Sequence, residues 1–103
     1  MAVILQVDFI MPAKSLAQQS IESLKTLAES IAKEPGFISK IWTENSQTNE
    51  AGGIYLFENS LFAEKYLTMH QKRLEAMGAQ KIRSKIFTIN DTLTAITKGS
   101  LNW

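Results

Sequence analysis

Along the first ten residues the apolar and polar positions alternate. Val3, Leu5, Val7 and Phe9 fall on one side of an extended chain, and Ile4, Gln6 and Asp8 on the other. This predicts a strand with one fully apolar face and a second face that is partly apolar. After Pro12 the period changes. Ser15 followed by Gln18 resembles a capping box, and Ala17, Ile21, Leu24, Ala28 and Ile31 recur at helical spacing, so a first helix is expected over 15–33. Pro35-Gly36 ends it.

A hairpin follows, with strands at about 37–45 and 51–58 joined by the polar turn "SQTNE". Asn59 or Ser60 can cap a second helix over about 60–77, which Gly78 stops. In "QKIRSKIFTIN" Ile82, Ser84 and Ile86 alternate with Arg83, Lys85 and Phe87, giving a fourth strand. The tail, 91–103, has no strong period and is expected to form at most a short helical turn. The order βαββαβ predicts an α+β, ferredoxin-like domain, with two helices on one face of a four-stranded antiparallel sheet. At 103 residues the chain is expected to form one such domain, 1–103.

Two helices cover only one face of that sheet. The first and third strands carry apolar residues at both parities: Ile4 and Ile10 against Leu5 and Phe9, Ile54 and Leu56 against Tyr55 and Phe57. The uncovered face would then be an apolar patch of roughly several hundred Å², more than soluble monomers ordinarily expose. A second copy is expected to cover it face to face in a two-fold homodimer. The tail, with Leu101 and Trp103, either lies over the partner or frays.

Composition narrows the chemistry. Eleven Lys and Arg against ten Asp and Glu give a formal net charge of +1, too weak a field to gather nucleic acid or an anionic membrane. With no cysteine there is no disulfide, thiolate nucleophile or Cys-based metal site, which leaves one histidine and the carboxylates for any metal. The N-terminal apolar run is too short for a signal peptide or a spanning helix, so a cytoplasmic protein is expected. HExxH, EF-hand and phosphate-cradling motifs are absent. The RNA-binding variant of this fold needs a basic residue and exposed aromatics on the third strand, where "EAGGIYLF" offers an acid and two aromatics.

Four places could carry chemistry. His70, the single histidine, falls on the stripe Ala63, Leu67, His70, Leu74, Met77 that faces the sheet. It is either a half-buried histidine bonded to a backbone carbonyl or a carboxylate, or a base or donor at a cavity between helix and sheet. Trp42 shares strand parity with Ile38, Lys40 and Glu44, and is either a dimer contact or the wall of a pocket for a planar ligand. The hairpin register decides between them. Gly52-Gly53 invites a bulge and, beside Tyr55 and Phe57, leaves room for a flat substrate or for a bulky neighbour across the sheet. Asp8 needs a donor such as Arg83 or Lys85, or else bonds a substrate. The charges of "EKYLTMHQKRLE", Lys72 and Arg73 among them, read as a solvated helix face.

The stretch "LAESIAKEPGFISKIWTENSQTNEAGGIYLFE", with "KYLTMHQKRL" after it and "KIFTIN" near its end, resembles the YdhR-type monooxygenases within the antibiotic-biosynthesis-monooxygenase-like group. The likeness runs through essentially the whole chain. It implies a dimeric α+β barrel with a cavity between sheet and helices in each subunit. It also implies oxidation of a small aromatic or polyphenolic compound by O2 without flavin, haem or metal. Such chemistry asks the protein only to deprotonate and position an electron-rich substrate, exclude water and stabilise a peroxy intermediate. The haem-degrading branch of the superfamily uses a Trp at the end of the third strand, an Asn on the first and a His on the second helix. Here those places hold Phe57, Asp8 or Gln6, and His70, so only the histidine is present in kind.

The site expected from these readings has His70 as base or donor and Tyr55 as its hydrogen-bond partner. Trp42 and Phe57 form apolar walls, and Asp8, Glu44 and Gly53 complete the substrate-binding set, with no metal or cofactor ligand. A non-catalytic binder of a planar hydrophobic molecule and an isomerase or lyase remain the alternatives on this fold.

Overall fold

The computed structural model describes residues 2–12 and 21–99. Its elements are β1 (Val3–Ile10), α1 (Ile21–Ala32), β2 (Phe37–Asn45), β3 (Glu50–Phe57), α2 (Ser60–Ala76), β4 (Gln80–Thr88) and a short α3 (Asp91–Ile96). The proposed capping box at Ser15 and Gln18, and the tail residues Leu101 and Trp103, lie outside the described residues. The four strands form one antiparallel sheet in the order β2-β3-β1-β4, the βαββαβ ferredoxin-like arrangement.

Local chemistry places the boundaries. Gly36 and Gly78 adopt φ of 75° and 92°, values that a residue with a Cβ rarely adopts, where α1 and α2 end. Asn59 caps α2 by accepting from the Phe62 amide at 3.0 Å, and Asn90 caps α3 by accepting from Leu93 at 3.0 Å. In the hairpin, the Asn45 carboxamide oxygen accepts from the Gln47 and Thr48 amides and so holds the turn.

Val3, Leu5, Val7 and Phe9 face the helices and are buried with Tyr55, Phe57, Ile31, Ala63, Tyr66 and Leu74. Truncating a fully buried member such as Leu5 to Ala would cost ~2–5 kcal/mol. Two features depart from the expected pattern. The pairing runs unbroken through Gly52 and Gly53, so no bulge forms there. Instead the register slips between Phe37 and Ser39, which brings Phe37 onto the face of Lys40, Trp42 and Glu44 and against the Phe57 ring, 6.0 Å between centroids.

The opposite face of the sheet is divided. At one end Ile4, Ile41, Ile54 and Leu56 share a hollow with Ile89 and Thr94 of the C-terminal segment, and Phe87 lies nearby, 45% exposed. At the other end stand Gln6, Asp8, Glu50, Arg83 and Lys85, with an Arg83–Glu50 ion pair at 3.0 Å. This face is therefore mostly apolar at one end and, Ile10 apart, polar at the other.

Candidate active site

Tyr55 and His70 meet in the space between the sheet and α2. Alternation on β3 turns Tyr55 toward the helices, and the α2 stripe Ala63, Tyr66, His70, Leu74 turns His70 toward the sheet. Both are buried, and the Tyr55 hydroxyl lies 3.2 Å from His70 Nε2. Tyr66, one turn before His70, donates its hydroxyl to that of Tyr55 at 3.2 Å. Arg73 completes the group: its Nε and Nη2 lie 3.2 and 2.9 Å from His70 Nδ1, and Nη2 reaches the Tyr66 hydroxyl at 3.5 Å.

These contacts determine where the protons sit. A guanidinium only donates, so Nδ1 of His70 accepts and Nε2 carries the imidazole hydrogen, which it donates to Tyr55. Two chains of donors, Arg73 to His70 and Arg73 to Tyr66, converge on one phenol oxygen. With Tyr66 as the donor of their pair, the hydrogen of Tyr55 is left without an acceptor among the described residues, and Tyr55 lines a cavity.

Electrostatics reinforces the arrangement. Burial first, then the charges of Arg73 and Lys40, push the His70 pKa down to about 3. Burial, followed by the coupling to Tyr66, raises the Tyr55 pKa well above the ordinary phenol range, and burial raises that of Tyr66 as well. At neutral pH the cluster is a neutral imidazole and two phenols. On this geometry the one lone pair of the neutral His70 imidazole faces Arg73, and its Nε2 hydrogen faces the Tyr55 hydroxyl.

The cavity encloses about 100 Å³. A ~150 Å³ apolar cavity takes up benzene, so this smaller volume takes nothing larger than a single aromatic ring without widening. Leu24 and Leu27 of α1, Leu74 of α2 and Met77 at its C-cap form its apolar sides, and Trp42 and Glu44 stand at its exposed margin. Trp42 thus lies on the helix-facing side of the sheet, at the cavity.

Two expected substrate contacts are not brought here. Phe57 is fully exposure-free, packed against Tyr55 and Tyr66 in the core, and is absent from the cavity lining. Asp8 points from the other face of the sheet, where it accepts from Gln6 Nε2 at 3.1 Å, while Arg83, its cross-strand neighbour, pairs with Glu50 instead. Gly53 acts by its missing side chain. It sits directly across from Trp42, and a Cβ there would come within 2.5 Å of Lys40 Cε and 3.1 Å of Tyr55 Cε1. A bulky neighbour, the Lys40 stem, uses that room. Among the described residues no group of three or more His, Cys, Asp and Glu side chains could hold a metal ion.

Sequence reasoning missed Lys40, Tyr66 and Arg73. Tyr66 had a readable signal, because it lies four residues before His70 on the same stripe.

The family model described as "Putative mono-oxygenase ydhR" matches residues 4–100. The chain belongs to that family. Among solved structures, it is similar in fold to a protein from Deinococcus radiodurans described as a putative antibiotic biosynthesis monooxygenase, with a TM-score of 0.65 and 14% identity. That likeness covers 85% of this chain and 92% of the other. No curated protein matches. For this YdhR-family chain no helix among the described residues is long and apolar enough to cross a membrane.

Proposed function

We propose that the chain is a monooxygenase that uses O2 to oxidise a small, single-ring aromatic hydroxyl compound, with no cofactor. The observation that carries this reading is the Tyr55 hydroxyl, whose oxygen takes two hydrogen bonds and whose own hydrogen is left for the cavity. Family membership supports the reaction class.

The chemistry balances without a reductant. A phenol with an unsubstituted para carbon plus O2 gives the para-quinone plus water. One oxygen atom enters the ring, the other leaves as water, and O2 takes up four electrons from the ring. Loss of the hydroxyl proton makes the ring electron-rich enough to reduce O2, and the resulting hydroperoxide at the para carbon expels water to form the quinone. Negative charge develops on the peroxy oxygens, and the Tyr55 O–H, held in place by His70 and Tyr66, is a preorganised donor to them. Trp42 and the leucines keep water out.

We further propose that the chain works as a homodimer, in which a second copy covers the exposed Ile41, Ile54 and Phe87. The reaction is tested with isotope-labelled O2 and a single-ring phenol. One labelled atom is expected in the quinone and one in water; a product formed equally well without O2 selects an isomerase or lyase, and ligand binding without any product selects a binding protein.

A further inference from the structure

Among the described residues Lys40 is the one lysine that lines this cavity. It projects from β2 onto the helix-facing side of the sheet, two residues before Trp42 and across from Tyr55. Its Nζ lies 3.4 Å from the centroid of the Trp42 ring and 4.6 Å from that of Tyr55. No carboxylate among the described residues comes within ion-pair distance of it. The stem crosses Gly53, where even a methyl group would collide with Cε. A glycine and two aromatic faces thus hold a primary amine, with no carboxylate of the described residues at ion-pair distance, in a mostly apolar hollow beside the hydroxyl of Tyr55.

We propose that Lys40 is the proton acceptor of the cavity: its amine takes the hydroxyl proton of an acidic single-ring phenol and retains the phenolate as an ion pair. The inference rests on the aromatic-hydroxyl reading of the cavity but not on the reaction with O2. The step is ArO–H plus RNH2 giving ArO⁻ plus RNH3⁺, with no other bond changed. Before the step, burial and then the Arg73 guanidinium disfavour a charge on the amine and lower its pKa to about 7, so an unprotonated fraction is present at neutral pH. The π-faces of Trp42 and Tyr55 favour the ammonium before and after the step, and what the step adds is the anion of opposite charge beside it.

The groups around the amine are consistent with that role. From α2 come the cationic Arg73, the neutral His70 and Tyr66; from β3 the phenol of Tyr55; from β2 the exposed Glu44; and α1 presents only Leu24 and Leu27 to the cavity. Neither His70 nor Tyr55 competes for the proton, since the lone pair of the imidazole is occupied and the phenol remains protonated.

The test uses 4-nitrophenol, whose anion absorbs visible light and whose neutral form does not, under anaerobic conditions. Wild-type protein is expected to bind it as the phenolate and to lower its apparent pKa by a unit or more, a ~tenfold shift in its ionisation. Lys40→Met is expected to bind the neutral form. Equal ionisation in the two proteins, or no binding by the wild type, overturns the proposal. Should Lys40→Met fail to fold, the wild type decides alone. Acetylation of Lys40 by acetic anhydride, followed by peptide mass spectrometry, is expected to reach half its limiting rate near pH 7, and a midpoint near the usual 10.5 overturns the assignment. Phenolate binding with no O2 consumption would leave Lys40 in this role and remove the oxygenase reading alone.

Discussion

Arg73 Nη2 lies 2.9 Å from Nδ1 of His70, and this contact makes the histidine a donor. With Nδ1 accepting from a permanent cation, His70 stays neutral and the hydrogen on Nε2 points at Tyr55. Nitrogen NMR of the intact protein is expected to show one tautomer, protonated at Nε2, from pH 5 to pH 9. An imidazole that titrates near ~6.5 would contradict it.

The same burial links His70 to acid stability. Its folded pKa, about 3, lies below the ordinary value of 6.5, so between these limits the unfolded chain binds a proton that the folded one does not. Stability therefore falls as pH drops from 6.5 toward 3, by up to ~1.4 kcal/mol per pH unit from this site. Denaturant unfolding across that range is expected to show a shallower slope for His70→Gln.

Lys40 gives the opposite end of the profile. Its folded pKa, about 7, is depressed from 10.5, so the unfolded chain holds the extra proton between those values and stability rises with pH there. Lys40→Met, which keeps the length of the stem and removes the charge, is expected to flatten that rise and to raise the melting temperature below pH 7. A lower melting temperature at pH 6 would show that the ammonium is not a burden on the fold.

Most of the fold was legible because each boundary rests on one strong local signal. Alternation in Val3–Phe9, Pro35-Gly36, the Asn59 cap and Gly78 place the elements where the structure has them. The inward turn of His70 followed from helical spacing in the same way. The polar members of the site were harder to read. Lys40 and Arg73 have the composition of a solvated surface, and only the three-dimensional meeting of β2, β3 and α2 shows Lys40 over two rings and Arg73 on His70. Phe57 and Tyr55 share a strand face, yet Phe57 pairs with Val3 and packs under Tyr66, deeper in the core than the cavity reaches. Asp8 was readable from the alternation of β1, which already sets it opposite Val7 and Phe9.

Gly52 and Gly53 should respond differently to substitution. A Cβ on Gly52 would run into the carbonyl oxygen of Val7, so Gly52→Ala must force β1 and β3 apart and is expected to destabilise by several kcal/mol, at least ~2. Gly53→Ala meets the end of a flexible side chain instead. It is expected to fold with a smaller loss while displacing the Lys40 amine from the Trp42 ring, read as a return of its acetylation midpoint toward 10.5.

Tyr55→Phe would leave the Tyr66 hydroxyl and His70 Nε2–H without their shared acceptor, a loss of ~1–3 kcal/mol. Tyr66→Phe removes a donor to Tyr55 and only the long, 3.5 Å contact from Arg73, and is expected to cost less. In a double-mutant cycle by chemical denaturation the two changes should be non-additive by ~1 kcal/mol, because they break one hydrogen bond in common. Additive effects would mean that the two hydroxyls are not coupled.

The most direct test is O2 uptake with a single-ring phenol, compared between wild type and Tyr55→Phe that has been shown to be folded. One O2 is expected to be consumed per quinone by the wild type, and the rate is expected to fall ~100-fold in the variant, the scale of losing one preorganised donor. Uptake no faster than the uncatalysed reaction in the wild type, or an equal rate in both proteins, would contradict the account.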